Sequence, residues 1–207
     1  MSEEALLAHL PAVTAAIARG DEPATGRLAR RAVSAGVPAA AVYEAALQTY
    51  LFAGYPRAIS GLAAVARVCG PAKKPLSPGS PASWKRQGAR LCRRIYASAT
   101  EKMLSNMRAI HPAIAEWIVW EGYGKVLSRP GLSAAVREAC AVSALVALGA
   151  WRQLESHARG ALRVGLPLDV LRAVAGREPE ARRIVREAAG EIMPNPRRRR
   201  SLKLRTR

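Results

Sequence analysis

The sequence predicts an all-α protein, a pseudo-symmetric helical bundle of two repeats, and three observations lead there. No alternation of Val, Ile, Thr or aromatic residues bounded by turn pairs occurs, so strands have no signal. Ala, Leu and Arg dominate, with apolar residues three and four apart, the spacing of a helix face. The third observation is self-similarity. "AVTAAIARGDEPATGRLARRAVSAGVP" (12–38) lies over "AVSALVALGAWRQLESHARGALRVGLP" (141–167) at a constant offset of 129. Gly20, Gly36 and Pro38 match Gly149, Gly165 and Pro167 without a gap. Matched alanines mean little in an Ala-rich chain, whereas three breakers at identical spacing mean more. Each unit reads as a helix, a tight glycine turn, a second helix closed by glycine and a third opened by proline. Three such helices leave an apolar face that a second copy can cover.

In chain order, the breakers delimit helices over 3–19, 22–35, 38–53, 57–69, 83–108, 112–122, 133–148, 151–164, 167–175 and 178–191. Gly54 with Pro56 interrupts the third and fourth. His111 before Pro112 reads as a helix-start residue. "GPAKKPLSPGSP" (70–81) carries four prolines and cannot stay helical. The expected organisation is therefore a first, degenerate repeat over 1–70, a Pro/Lys-rich linker over 71–82, a second repeat over 83–193 and a disordered basic tail over 194–207.

Charge and composition exclude several classes. The formal charge is +18, but residues 197–207 and 71–94 each hold seven Lys and Arg and no acid. Removing both sevens leaves +4 over the rest, so the excess belongs to a tail and a linker. The tail can contact nucleic acid or another polyanion weakly through counterion release, or simply be solvated. No apolar run suits a membrane span, and the acids after Met1 do not suit a secretory signal. A cytoplasmic protein is expected. Cys69, Cys92 and Cys140 are scattered and odd in number, which argues against a disulfide framework and against zinc. No phosphate loop, Ser/His/Asp arrangement or metal-spaced His cluster occurs, so neither cofactor nor metal is expected.

The candidate site lies in "REACAVSALVALGAWRQLESHARGAL" (137–162), which is apolar except for a few residues that include Glu138 and His157. If Gly149 reverses the chain, Glu138 and His157 stand roughly 16 and 12 Å from the turn, at similar height on neighbouring helices. They can then act as a proton-handling pair. Glu138 can equally be a core carboxylate bonded to Arg159, Arg163 or a more distant arginine. Trp117, Trp120 and Tyr123 can wall a pocket or pack a core. Arg129 can anchor a substrate carboxylate or cap a helix.

The stretch "EGYGKVLSRPGLSAAVREACAVSALVALGAWRQLESHARGALRVGLP" (121–167) resembles the carboxymuconolactone decarboxylase family, whose fold is shared with alkylhydroperoxidase D. "EAALQTYLFAGYPRAISGLAAV" (44–65) resembles another segment of that family. The resemblance implies two alkylhydroperoxidase D-like repeats. It also implies a homo-oligomer, a trimer ahead of a dimer. The peroxidase branch uses a Glu, a C-x-x-C pair and a His. Here the Glu and His positions are Glu138 and His157, and the two cysteine positions hold Ala150 and Gln153. Cys140 stands too early to replace them, and without two thiols there is no dithiol cycle. In the first repeat His9 and Leu28 occupy the Glu and His positions, so that half is expected to be scaffold.

The leading expectation is acid–base chemistry on a small carboxylate or lactone, of decarboxylase or lactone type. Glu138 and His157 are its catalytic candidates, and Arg129, Arg137, Gln153 and Tyr123 its substrate-binding candidates. Peroxide reduction is the second reading, disfavoured by the missing thiol pair. A non-enzymatic binding or scaffold role with basic anion-binding ends is the third.

Overall fold

The structure, a computed structural model, describes residues 2–72 and 79–193. The basic tail and the centre of the Pro/Lys-rich linker lie outside the described residues. Everything described is helix, turn or short connection. The order is α1 (Glu3–Arg19), α2 (Glu22–Ser34), α3 (Ala39–Gln48), α4 (Tyr50–Cys69), α5 (Pro81–Tyr96), α6 (Thr100–Ile110), α7 (Pro112–Trp117), a π-helical segment (Ile118–Val126), α8 (Ala134–Leu148), α9 (Trp151–Arg163), α10 (Leu168–Ala175) and α11 (Pro179–Ile192). No helix among the described residues is long and apolar enough to cross a membrane.

The breakers act as their chemistry requires. Gly20 and Gly149 close α1 and α8 in the left-handed region, at φ 78° and 64°, which costs a glycine nothing. Pro38 and Pro167 open α3 and α10 with nearly the same backbone, φ −60° and ψ 139° against φ −59° and ψ 142°. Helices α2 and α9 begin and end 129 residues apart, and so do the starts of α4 and α11. Helix α4 bends at Gly54, whose φ of 77° and ψ of 169° lie outside helical space.

Helices α1 and α8 form the centre. Small side chains let them approach closely, and the Thr14 hydroxyl reaches the Cys140 carbonyl oxygen while the Ser143 hydroxyl reaches that of Pro11. One core surrounds Leu10, Val13, Ile17, Val42 and Val65 and takes in Val136 and Cys140 of α8. A second surrounds Val142, Leu154, Leu171 and Ile184, with Phe52 of α4 packed against it. Helix α8 thus serves both cores, and Ala135 through Leu145 are buried without interruption.

Four expected helices differ. Those over 38–53 and 57–69 meet at Thr49 instead of at Gly54, with α3 ending at Gln48 and α4 running from Tyr50 through the Gly54 bend. The one over 83–108 breaks at Ala97, the only non-glycine residue described with positive φ, at 51°. The one over 112–122 becomes α7 and then the π-helical segment, running on to Val126. That segment lies backbone to backbone against α5. A Cβ on Gly88 would stand 1.8 Å from the Val119 carbonyl oxygen, and one on Gly124 would stand 2.1 Å from that of Trp84. Only glycine permits this contact. His111 caps α7, its Nδ1 accepting from the Ala113 amide.

Candidate active site

Helix α8 starts at a serine cap, where the Ser133 side chain accepts from the Val136 amide. It ends at Gly149, after which α9 returns alongside it. The hairpin brings His157 Nδ1 within 2.8 Å of Glu138 Oε2. Glu138 is 2% exposed and His157 13%. The carboxylate is therefore sealed, while the imidazole reaches the edge of the fold. A buried carboxylate demands a partner, and here that partner is His157. Arg159 and Arg163 turn instead to Glu191.

Three elements complete the surroundings. Gly160 lies one turn after His157, and a Cβ there would meet Ile95 at 2.7 Å and Glu138 Oε2 at 3.4 Å. Its missing side chain lets α5 and the carboxylate share that face of α9. The Phe52 ring stands edge-on to the imidazole at 5.4 Å. The Tyr96 and Tyr123 hydroxyls, from α5 and the π-helical segment, are 2.8 Å apart. Burial pushes the Tyr96 phenol up to about 12 and Tyr123 well above its ordinary value, with the Glu138 charge adding to both. Both phenols are thus neutral hydrogen-bonding groups near neutral pH, within the field of Glu138.

Arg129 and Arg137 are engaged elsewhere. Arg129 Nε and Nη2 hold both oxygens of Glu44, at 2.7 to 3.1 Å. Arg137, almost fully buried, reaches Glu44 at 2.9 Å, Gln48 Oε1 at 3.1 Å and the carbonyls of Arg129 and Pro130. Gln48 returns a bond to the Arg137 carbonyl. Burial alone would raise the Glu44 carboxyl, but hydrogen bonds from the two arginines overcome that and hold it below the ordinary range. Arg137 Nε is buried without a partner among the described residues. This cluster ties α3 to α8 and to the loop before it. Gln153 is exposed on α9, one turn before His157.

The three cysteines are free thiols. Burial pushes Cys140 and Cys92 up to about 12, far from the thiolate that redox chemistry requires. Among the described residues no group of three potential metal ligands comes together.

Sequence reading overlooked Glu44, Gln48, Tyr96, Phe52 and Gly160. Glu44 and Gln48 did carry a signal. They are polar residues four apart in an otherwise apolar helix, the same feature that marks Glu138. Tyr96, Phe52 and Gly160 carried none, because their roles come from packing between distant elements. Compared with known families, residues 114–187 match the model of the Carboxymuconolactone decarboxylase family, a stretch that contains Tyr123, Glu138 and His157. The comparison with curated proteins gave no match.

Proposed function

We propose, for a chain whose residues 114–187 match the Carboxymuconolactone decarboxylase family model, that Glu138 and His157 perform acid–base chemistry on a small carboxylate or lactone. The carrying observation is the 2.8 Å contact between a sealed carboxylate and an imidazole that reaches the edge of the fold. A carboxylate on Nδ1 favours the tautomer with hydrogen there, which leaves the Nε2 lone pair free to take a proton. In decarboxylation the carbon–carboxylate bond breaks, carbon dioxide leaves, and the bonding electrons pass into a conjugated carbonyl. The protonated His157 then delivers its Nε2 proton to the resulting carbanion, and the solvent restores it. Glu138 orients the ring and balances its charge. In this reading the Glu44–Arg129–Arg137 cluster braces α8 behind the site.

The test is carbon dioxide release from carboxymuconolactone and from a panel of small carboxylates and lactones. Release should occur in the wild type, fall by about a hundredfold or more in His157→Gln, and be unchanged in Cys140→Ala. Thiol-dependent peroxide turnover that disappears in Cys140→Ala would instead favour the peroxidase reading. We also propose a homo-oligomer, supported by the exposed Ile110, Ile114 and Trp117 across α6 and α7. Light scattering that gives a monomer of 22.1 kDa would contradict it.

A further inference from the structure

Gly176, at φ 69°, turns α10 into α11, and a cavity of about 660 Å³ opens at that turn. Four arginines line it: Arg172 from α10, Arg177 from the turn, and Arg182 and Arg186 from α11. Its floor includes the buried Ala175 and Val185. No acid lines it, and none of the four guanidiniums makes an ion pair or side-chain hydrogen bond among the described residues.

This is not a general excess of positive charge. Residues 168–193 hold five arginines and five acids, so the segment is neutral by composition. None of these acids lines the cavity. Glu180 and Glu187 both bind Arg183, and Glu191 binds Arg159. Asp169 and Glu178 sit at the starts of α10 and α11, where the helix dipoles favour negative charge. The other four arginines, all exposed to solvent, line one space without a counter-charge among the described residues, an arrangement that favours an anion there.

A second cavity, of the same volume, supplies the contrast. Arg27, Arg30 and Arg67 contribute to its wall, but so does Glu22, which binds Arg67 at 3.1 Å. There the protein supplies its own counter-charge.

We propose that the Arg172–Arg177–Arg182–Arg186 cavity is a binding site for a small ligand carrying several phosphate-type charges. Guanidiniums recognise such oxygens in bidentate fashion. The volume lies within the range of small-molecule sites, roughly 300–1,000 Å³. A nucleic-acid backbone spreads its charges along a strand, whereas these four cations converge on one space.

The test uses tripolyphosphate as the probe, with the full chain, calorimetry and a salt concentration of about 150 mM. Saturable binding of one tripolyphosphate per chain is expected. Arg177→Gln/Arg182→Gln should weaken it by about tenfold or more. Arg27→Gln/Arg30→Gln, an equal loss of charge at the other cavity, should leave it unchanged. Circular dichroism checks that both variants fold, and Arg172→Gln/Arg186→Gln provides an independent second pair. Equal weakening by the pairs at both cavities would overturn the proposal, and so would an absence of saturable binding. Orthophosphate binding as tightly as tripolyphosphate would overturn the multiple-charge assignment. A single-stranded oligonucleotide binding far more tightly through the same arginines would replace the small ligand with nucleic acid.

Discussion

Two carboxylates, Glu44 on α3 and Glu138 on α8, both lie in apolar helices, yet the fold uses them differently. Glu44 is held by two guanidiniums, and one of those, Arg137, is itself fixed by Gln48 and two carbonyls. The cluster joins elements 85 to 93 residues apart in the chain. It is a joint, with little left over to react. Among the described residues Glu138 has one side-chain partner, His157, 19 residues away in the same hairpin, and the Nε2 of that ring makes no hydrogen bond there. A buried carboxylate therefore says little by itself. What matters is whether its partner retains a free valence at the edge of the fold.

The comparison can be broken most forcefully at the joint. Arg137→Met leaves Glu44 without its buried partner and should cost about 3–5 kcal/mol in urea unfolding. A loss below about 1 kcal/mol would mean that the cluster is not structural. Gly160→Ala should cost about 1–3 kcal/mol, because the new methyl must displace Ile95 at 2.7 Å. It should also lower any His157-dependent turnover, and unchanged turnover would loosen the claimed tie between α9 packing and the pair. His157→Gln, whose amide can still donate to Glu138, should cost only about 1 kcal/mol while lowering that turnover by about a hundredfold or more. A stability loss as large as that of Arg137→Met would put both carboxylates in the same structural class.

The smallest effect is on pH dependence. The Glu44 carboxyl is held below its ordinary value of 4.5. Its contribution is therefore complete above the unfolded value and is lost as pH falls through the folded one. Thermal unfolding between pH 3 and 6 should show the wild type losing stability in acid, with a flatter profile in Glu44→Gln. Partial solvent screening keeps the difference modest, and identical profiles would remove Glu44 from the acid response.

Much of this was legible in the sequence because it depends on local chemistry. Gly20, Gly149, Pro38 and Pro167 determine backbone angles wherever they stand, so helix ends and the 129-residue offset followed from spacing. The Glu138–His157 contact followed too, because one glycine turn fixes heights along two adjacent helices. The break at Ala97 was hidden, since "ASA" carries no breaker. The π-helical segment was hidden because apolar periodicity does not report a five-residue hydrogen-bond step. Arg137 read as a neighbour of the pair because it adjoins Glu138 in sequence. Successive residues on a helix point about 100° apart, and it faces Glu44 instead. The arginine cavity was hidden by arithmetic, since a segment with equal positive and negative charge can still sort the two onto different faces.

The central claim is that Glu138 holds His157 by Nδ1 and so frees Nε2 for proton transfer. Nitrogen-15 spectra of the imidazole, taken where the ring is neutral, test it directly. The wild type should show the hydrogen on Nδ1 with Nε2 unprotonated, and Glu138→Ala should lose that preference. A wild-type ring with its hydrogen on Nε2, or the same tautomer in both proteins, would contradict the account.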